Sequence, residues 1–286
     1  ADCATSDDCV QYMRIDHGIF EWDLFGDNQA RAPFGANVWT HVKLSVNGRS
    51  MHVWVNGTLV SVPRDNLLVG AFDSGTIKLH GPASYAHLTI ASSAATETPK
   101  RSPSVAAGDA HFVTRWLASS AFIMPSTFDA KLGQNTGVAP SIKSLPATGA
   151  LKHVLRADPT GLVNVTAALG ESQKGNAIVA TWLKTVVMSE QAQVKHVSMG
   201  WTREAWVFVN GELVYADKNL YGVPEASKSP DGRLSLDNGA FNLPLKKGKN
   251  EIDVLLDDNF GGGVQHFGWG LMMRFPNLDG IQLSTN

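Results

Sequence analysis

The chain has 286 residues, with 24 Lys and Arg against 26 Asp and Glu, for a formal net charge of −2. This balance argues against a basic stripe for nucleic acid and against an acidic interaction tail, and no apolar run approaches the roughly 18 residues of a membrane span. The length suits one large domain or two ordinary ones. The 27 glycines and 8 tryptophans are typical of tightly turned β structure with aromatic surfaces.

The two cysteines of the chain, Cys3 and Cys9, lie near its start. Their spacing matches no zinc motif, because no second Cys/His pair stands at metal-ligand distance. The sequence therefore predicts a local Cys3–Cys9 disulfide, which is in line with an exported protein. The chain begins at Ala1 without Met or an apolar leader, so we expect a removed signal peptide or a cut chain. The expected location is secreted or periplasmic.

The segment EWDLF, Glu21 to Phe25, is the first candidate for binding chemistry. Trp22 stands between Glu21 and Asp23, an arrangement that would suit stacking on a sugar. The alternative interpretation places Trp22 in the core and leaves both acids in solvent.

Two consecutive β-hairpins are predicted between Thr40 and Val62. Asn47-Gly48 and Asn56-Gly57 are dipeptides that favour two-residue type I′ turns between alternating strands. The first turn predicts the pairs Val46–Arg49, Leu44–Met51 and Val42–Val53, and the second predicts the pairs Val55–Thr58 and Val53–Val60. In this register one face of the sheet points into a core and carries Val42, Leu44, Val46, Met51, Val53, Val55, Val60 and Val62.

The opposite face of these hairpins carries a mixed polar and aromatic set: His41, Lys43, His52, Trp54 and Ser61. Within it His41, His52 and Trp54 form a candidate second platform for a sugar. The alternative is cross-strand stacking that only stabilises the sheet or lies under an interdomain contact. Two histidines without a third ligand predict no metal site here.

The clearest break in the chain is SSAATETPKRSPS, Ser92 to Ser104. Its small polar residues and two prolines show no hydrophobic periodicity and are typical of an exposed linker. We therefore expect a first domain at residues 1–91, a linker at 92–104 and a second domain at 105–286. Both domains are predicted to be all-β, since no segment sustains an apolar period of 3.6 residues.

A second Asn-Gly hairpin, VFVNGELV at Val207–Val214, nearly repeats VWVNGTLV at Val53–Val60. A turn at Asn210-Gly211 predicts the pairs Phe208–Leu213 and Trp206–Tyr215. The sequences around the two octets do not align. The two octets therefore share a type of hairpin turn and are not evidence of a duplicated domain. The fold prediction is two distinct β-sandwich domains.

Three segments of the first half occur in a characteristic order: VQYMRIDHGIFEWDLFG, VWTHVKLSVNGRSMHVWVNGTLV and GTIKLHGPASYAHLTI. Over about residues 10 to 91 they resemble the laminin-G/concanavalin-like sandwiches, in particular the bacterial 3-keto-disaccharide hydrolase-like domains. That family has several strands before the QY segment, and these are missing here. The resemblance therefore implies a partial sandwich, and active-site residues on the absent strands do not transfer.

The second half resembles the galactose-binding-like jelly roll, an accessory module of many bacterial carbohydrate-active enzymes, over about residues 105 to 284. The ordered segments that carry this resemblance are RWLASSAF, GLVNVT, AIVATWLKTVV, VSMGWTREAWVFVNGELVY, LPLKKGKNEIDVLL and NFGGGVQHFGWGLMMRF. Compared with the usual F-G-G-W-G turn, residues 263–267 look like an insertion. It would lengthen a loop at the rim where such modules often bind.

Sugar recognition by a sandwich needs an aromatic face for the C–H side of the ring and planar polar groups for its hydroxyls. The candidates lie in GWTRE and DDNFGGGVQHFGWG, which the resemblance implies are close in space: Trp201, Arg203, Glu204, Asn259, His266 and Trp269. The alternative is rim packing for both tryptophans and a solvated Arg203–Glu204 pair. Asp257 and Asp258 are candidate oxygen ligands for a structural calcium ion, although their spacing matches no defined loop.

No nucleophile elbow, zinc-protease motif, phosphate-binding glycine loop or dinucleotide fingerprint occurs. A glycosidase needs only two carboxylates at a defined separation, and Glu21, Asp23 and Asp73 are candidates that no rule selects. The sequence predicts carbohydrate binding, accessory to a glycan-degrading system, with a glycan as partner and no required cofactor. A glycoside hydrolase and a protein-binding adhesion module are the alternatives. Neither nucleic-acid binding nor membrane insertion is expected, and the oligomeric state is open.

Overall fold

The computed structural model describes residues 5–6, 9–26, 28–47, 50–61, 76–81, 83–92, 109–123, 150–170, 179–230, 232–258 and 267–284. This part of the chain is almost entirely β, which confirms the predicted class. The chain divides into two compact units: Ala1–Gln11 with Gln29–Ser104, and Tyr12–Asn28 with Val105–Asn286. No helix in the described ranges has the length and apolar character needed to cross a membrane.

The strands follow in chain order. Up to the predicted linker they are β1 (Val10–Gln11), β2 (Ile15–Asp16), β3 (Ile19–Phe20), β4 (Gln29–Ala30), β5 (Val42–Asn47), β6 (Ser50–Val55) and β7 (Thr58–Ser61). After it come β8 (Arg115–Ser119), β9 (Phe122–Ile123), β10 (Leu151–Arg156), β11 (Val163–Asn164), helix α1 (Val165–Leu169), β12 (Val179–Ser189), β13 (Gln193–Trp201), β14 (Arg203–Val209), β15 (Glu212–Asn219), β16 (Gly239–Leu245), β17 (Gly248–Asp257), β18 (Gly270–Arg274) and β19 (Ile281–Leu283).

The first unit contains a three-stranded antiparallel sheet, β5-β6-β7, and a β1–β4 ladder. The turn at Asn56-Gly57 forms as predicted: both residues have positive φ, and Val55 pairs with Thr58. The first hairpin is displaced from its predicted register, because its ladder runs to Asn47–Ser50 and its pairs are Val46–Met51, Leu44–Val53 and Val42–Val55. A register irregularity between Val53 and Trp54 also replaces the predicted Val53–Val60 pair by Val53–Ser61.

The predicted core face of this sheet is only partly covered. Val53 and Val55 are buried, but Val42, Leu44 and Val46 on β5 are 51%, 61% and 59% exposed. A displacement of two positions keeps every side chain on its predicted face, so these residues still form one apolar stripe. Val62 lies outside the described residues. Residues 76–81 and 83–92, which belong to the third segment of the resemblance, form no strand, and Ile77, Leu79, Leu88 and Ile90 are exposed there.

The second unit is a sandwich of two antiparallel sheets. One has the order β10-β8-β12-β17-β14-β15, with β9 and β19 also paired to β12, and the other has the order β11-β18-β13-β16. The main core includes Trp116, Leu183, Val207, Leu256 and Met273. A smaller cluster contains Trp182, Trp206, Phe208 and Leu255, which alternate with main-core residues along their strands and therefore lie on the opposite face of the larger sheet.

In the β14–β15 hairpin, one register irregularity changes the face of the sheet on which Tyr215 lies. Phe208 pairs with Leu213 as predicted, but a register shift after Val207 makes Tyr215 the partner of Val207 and not of Trp206. Tyr215 therefore packs against the main core, where its ring stacks on Phe241 with centroids 4.3 Å apart. The predicted Trp206–Tyr215 pair is wrong for this reason.

Residues Tyr12–Asn28, here called the strap, belong to the second unit and not to the predicted 1–91 domain. The strap contains β2, β3 and a 3-10 turn at Trp22–Leu24, and its ends meet where the Tyr12 N–H donates to the Asn28 carbonyl at 2.9 Å. Its Asp23 N–H donates to the Phe267 carbonyl, and its Asp23 carbonyl accepts from the Leu234 N–H, both at 2.9 Å. These bonds to distant segments are the reason for the different boundary.

Cys9 is disulfide-bonded. The other cysteine of the sequence, Cys3, lies outside the described residues, as does the predicted linker beyond Ser92.

Candidate functional site

The GWTRE segment and the segment that ends in GWG meet at one end of the second unit, as the sequence predicted. Trp201 pairs with Leu271 across β13 and β18. The Thr202 N–H donates to the Gly270 carbonyl, and the Thr202 hydroxyl oxygen accepts from the Gly270 N–H, both at 3.2 Å. The two stretches are therefore held together by backbone geometry.

The stacking role predicted for Trp201 and Trp269 does not agree with their position, because both side chains have 0% exposure. Trp201 packs edge-on against Tyr215 inside the core. The Trp269 indole N–H donates to the Gly170 carbonyl at 2.8 Å. Neither ring presents a face to solvent, so these tryptophans stabilise the sandwich.

Arg203 is not part of a solvated pair with Glu204. Its guanidinium lies 2.6 Å from the Asp23 carboxylate of the strap, and the two side chains are 2% and 3% exposed. Arg203 also has φ of +68° at the first position of β14, a conformation that costs an L-residue energy. The Arg203–Asp23 ion pair is therefore buried, and it lies at a position where the backbone of Arg203 is strained.

Glu204 belongs to a separate buried group with Lys218, Asp257 and Asp258. The Lys218 ammonium lies 2.9 Å from the Glu204 carboxylate, and Asp258 accepts a hydrogen bond from the Val179 N–H at 2.8 Å. Burial first, then the charge of Glu204 and the hydrogen bond to it, hold the pKa of Asp257 well above its usual range. The raised pKa favours the protonated form of Asp257, which reduces the negative charge of the group.

No set of three or more His, Cys, Asp or Glu side chains within the described ranges is arranged to hold a metal ion. The calcium prediction for Asp257 and Asp258 thus has no ligand set in this part of the chain. Asn259 and His266, the two remaining sugar-site candidates, lie outside the described residues.

Two members of the predicted second platform, His52 and Trp54, lie together on one face of β6. The rings of His52 and Trp54 stack with centroids 5.7 Å apart at 29°, and the Lys43 ammonium lies 4.8 Å from the Trp54 ring centroid. The exposed His41 donates its backbone N–H to the Asn56 side chain at 2.9 Å. The His52–Trp54 stack thus runs along β6, and the Lys43–Trp54 contact joins β5 to β6.

In the EWDLF segment the acids are more deeply buried than the tryptophan, which is the opposite of the alternative interpretation with Trp22 in the core and both acids in solvent. Glu21 and Asp23 are 0% and 2% exposed, whereas Trp22 between them is only partly buried. Both Glu21 oxygens lie 2.8 Å from the Asn164 amide nitrogen, which donates to them. The 3-10 turn at Trp22–Leu24 thus directs the two acids inward and leaves the tryptophan at the surface.

Trp22, Tyr221 and Phe267 are partly exposed rings. Together with the buried Arg233 they form a group that we call the aromatic cluster. Trp22 and Phe267 meet edge to face with centroids 5.8 Å apart. The Arg233 guanidinium lies 5.1 Å from the Trp22 centroid and 5.4 Å from that of Tyr221. Arg233 is itself only 3% exposed, so it supports the rings from below the surface through cation–π contacts.

The glycosidase alternative needs two carboxyl groups separated by about 5–10 Å that a substrate can reach. Of its candidates, Glu21 and Asp23 are buried and held by Asn164 and Arg203, and Asp73 lies outside the described residues. Glu204 and Asp257 are in direct hydrogen-bond contact and have 0% exposure. These four described carboxyls are therefore engaged in the fold.

Sequence reasoning singled out Trp22 but missed Tyr221 and Arg233. Both belong to the loop after β15, whose sequence YGVPEASKSPDGR shows no alternation and carries no binding motif. The available signal was the position of Phe267 at the end of the inserted residues 263–267, beside a glycine-rich turn.

No family model matches the chain, and no curated protein matches it. The GH31 alpha-xylosidase from Xanthomonas citri is 16% identical at a TM-score of 0.26, over 38% of this chain and 10% of that one. A family 35 carbohydrate binding module from an environmental isolate is 17% identical at 0.29, over 58% and 98%. Another such module, from Clostridium thermocellum, is 10% identical at 0.24, over 55% and 89%. The chain thus spans a tenth of the xylosidase, and TM-scores this low assign neither family nor activity.

Proposed function

We propose that the second unit binds a carbohydrate at the aromatic cluster. The observation that carries this proposal is the partly exposed Trp22 ring, which stands between two buried acids, contacts Phe267 and shares the Arg233 guanidinium with Tyr221. Aromatic rings at a surface cover the apolar C–H face of a sugar, and neighbouring polar groups satisfy its hydroxyls.

The cluster is rigid before any ligand arrives. Asp23 fixes the turn through its ion pair with Arg203 and through two backbone hydrogen bonds. Arg233 fixes the ring of Trp22 from one side, and its own carbonyl accepts from the Asn219 and Asn238 amides at 3.2 and 2.8 Å. A site that is ordered in advance loses less conformational entropy on binding, which favours recognition by a shallow surface.

We propose further that the protein acts outside the cytoplasm as an accessory to a glycan-degrading system. The disulfide of Cys9 supports the first part of this proposal, because disulfides persist mainly in oxidising compartments. Shallow stacking sites of this kind predict dissociation constants of about micromolar to millimolar.

The test begins with a glycan array and continues with calorimetry on cellohexaose, xylohexaose, mannohexaose and galactan. Trp22→Ala is expected to weaken binding at least about tenfold, which corresponds to about 1.4 kcal/mol. Trp39→Ala is the matched control, because Trp39 is a 73% exposed tryptophan of the first unit outside both platforms. Binding that survives in Trp22→Ala and disappears in Trp54→Ala would move the site to the first unit.

Protein binding by the first unit is a second candidate function, favoured by the exposed stripe Val42, Leu44 and Val46. Among the strands of the described residues, β5 lies at the edge of its sheet, and exposed apolar edges pair readily with other strands. We propose a second copy of the chain as the partner. Sedimentation velocity should show concentration-dependent association that Leu44→Lys abolishes and that Ser45→Lys, on the opposite face, retains. A wild-type protein that stays monomeric would reject this candidate.

A further inference from the structure

Glu21 is the buried acid that joins the strap to α1. Its side chain has 0% exposure, and both of its oxygens accept from the single amide nitrogen of Asn164, the N-cap of α1. Asp16 lies nearby on the strap and adds negative charge beside it. Burial away from water disfavours the ionised form of a carboxyl group, so Glu21 favours its protonated form when the strap is docked.

We propose that deprotonation of Glu21 releases the strap from the second unit and thereby removes Trp22 from the aromatic cluster. The inference rests on the proposed function only for its effect on the ligand. The release of the strap stands independently on the contacts of Glu21. The regulated site would hold a carbohydrate in neutral or acidic surroundings and lose it in alkaline ones.

The charged groups around Glu21 come from three elements: the strap, β14 and the loop after β15. On the strap itself they are Asp16 and Arg14, which form an ion pair at 2.7 Å. His17, also on the strap, lies 3.2 Å from the Ala167 carbonyl of α1. Asp23 of the strap forms an ion pair with Arg203 of β14. Arg233 lies in the loop after β15 and contacts the Trp22 ring. The described residues of α1 and of the Phe267–Gly270 segment carry no ionisable side chain.

Burial raises the pKa of Glu21 to about 8; the charge of Asp16 and its hydrogen bond to Glu21 raise it as well, while the hydrogen bond from Asn164 and the charge of Arg14 lower it. The folded pKa lies above the unfolded value of 4.5. The stabilisation from Glu21 is therefore complete below pH 4.5 and is lost as the pH rises to about 8. Within that window each pH unit lowers the free energy of unfolding by up to about 1.4 kcal/mol.

The variant Glu21→Gln tests whether the proton on the Glu21 carboxyl group controls the docking of the strap. The glutamine carbonyl can accept from Asn164 while its amide donates to Asp16, which copies the hydrogen bonds of protonated glutamate. The variant should therefore keep the strap docked and should not titrate. Asp257→Asn is the matched control, since it removes another buried carboxyl with a raised pKa and lies outside the strap.

The experiment measures hydrogen-exchange protection of the Asp23 and Leu234 amides at pH 6 and pH 9, corrected for intrinsic exchange. When the strap is docked, the Asp23 amide donates to Phe267 and the Leu234 amide donates to Asp23. Protection in the wild type and in Asp257→Asn should fall about hundredfold between pH 6 and pH 9, since it falls about tenfold per pH unit until the pH reaches the Glu21 pKa of about 8. Protection in Glu21→Gln should change by less than about twofold. The same three proteins are then titrated with the panel oligosaccharide that binds the wild type at pH 6.

The outcomes separate the two proposals. A pH response in the wild type that Glu21→Gln lacks supports strap release even if no oligosaccharide binds, in which case the proposed function fails alone. Wild-type protection that does not change between pH 6 and pH 9 rejects the inference, and so does a response that persists in Glu21→Gln. Oligosaccharide binding that is insensitive to pH, in a protein whose strap does respond, would remove the link between strap and ligand.

Discussion

Arg203→Met is expected to lower the free energy of unfolding by about 3–5 kcal/mol, because it leaves the Asp23 carboxylate buried without its cationic partner. The ion pair is 2.6 Å long and both side chains are almost fully covered. Methionine keeps most of the arginine volume, and it is as disfavoured as arginine at a positive φ, so the change reports mainly the lost charge. Urea unfolding followed by tryptophan emission measures it, since six of the eight tryptophans belong to the second unit.

The control is the double variant Asp23→Leu with Arg203→Met. Replacing both members of a buried pair by apolar residues is often neutral or stabilising, so the double variant should be more stable than Arg203→Met alone. A double variant that loses as much stability as the sum of both single variants would show that the two side chains do not act as a pair.

Gly232→Ala is expected to cost about 2–4 kcal/mol, because the new methyl group would meet main chain that has no room to move aside. A Cβ at this position would lie 2.5 Å from the N and Cα of Tyr221, and Gly232 has φ of +71°. The same displacement would shift Tyr221 within the aromatic cluster. Oligosaccharide affinity should therefore fall along with the free energy of unfolding, both measured as above.

The variant Gly222→Ala separates two contributions to the stability lost in Gly232→Ala: the steric clash of the new methyl group and the cost of a positive φ. Gly222 has the same φ of +71°, but a Cβ there would meet nothing within 4 Å. It should cost only about 1 kcal/mol, the usual penalty for a left-handed L-residue. If the two alanine variants are equally destabilised, contact with Tyr221 is not what makes Gly232 necessary.

The all-β class and the hairpins were predictable because Asn-Gly dipeptides and alternation are local signals. The Val55–Thr58 and Phe208–Leu213 pairs follow directly from them. The registers beyond a turn were not predictable, because an irregularity after Val53 or Val207 depends on packing by residues far away in sequence. The first unit shows the same limit. Alternation placed Val42, Leu44 and Val46 on one face correctly, but it did not reveal that this face is exposed.

The site was predictable in part for a similar reason. Adjacent strands brought Trp201, Thr202 and Gly270 together, as the order of segments implied. The burial of Trp201 and Trp269 could not be foreseen, since a tryptophan at a strand end suits a rim or a core equally. The approach of Trp22 to Tyr221 and Arg233 joins segments about 200 residues apart, and no periodicity or motif carries such information.

The Asp23–Arg203 contact spans 180 positions of the chain (203 minus 23), and this separation has a consequence for biosynthesis. On the ribosome the strap emerges early, and 180 further residues must be synthesised before the arginine partner of Asp23 exists. Contacts so distant in sequence form slowly, and an intermediate that has not yet made them is open to misfolding. A polypeptide started at Val105 would never receive the carboxylate, so recombinant truncation at the apparent boundary should yield an unstable product.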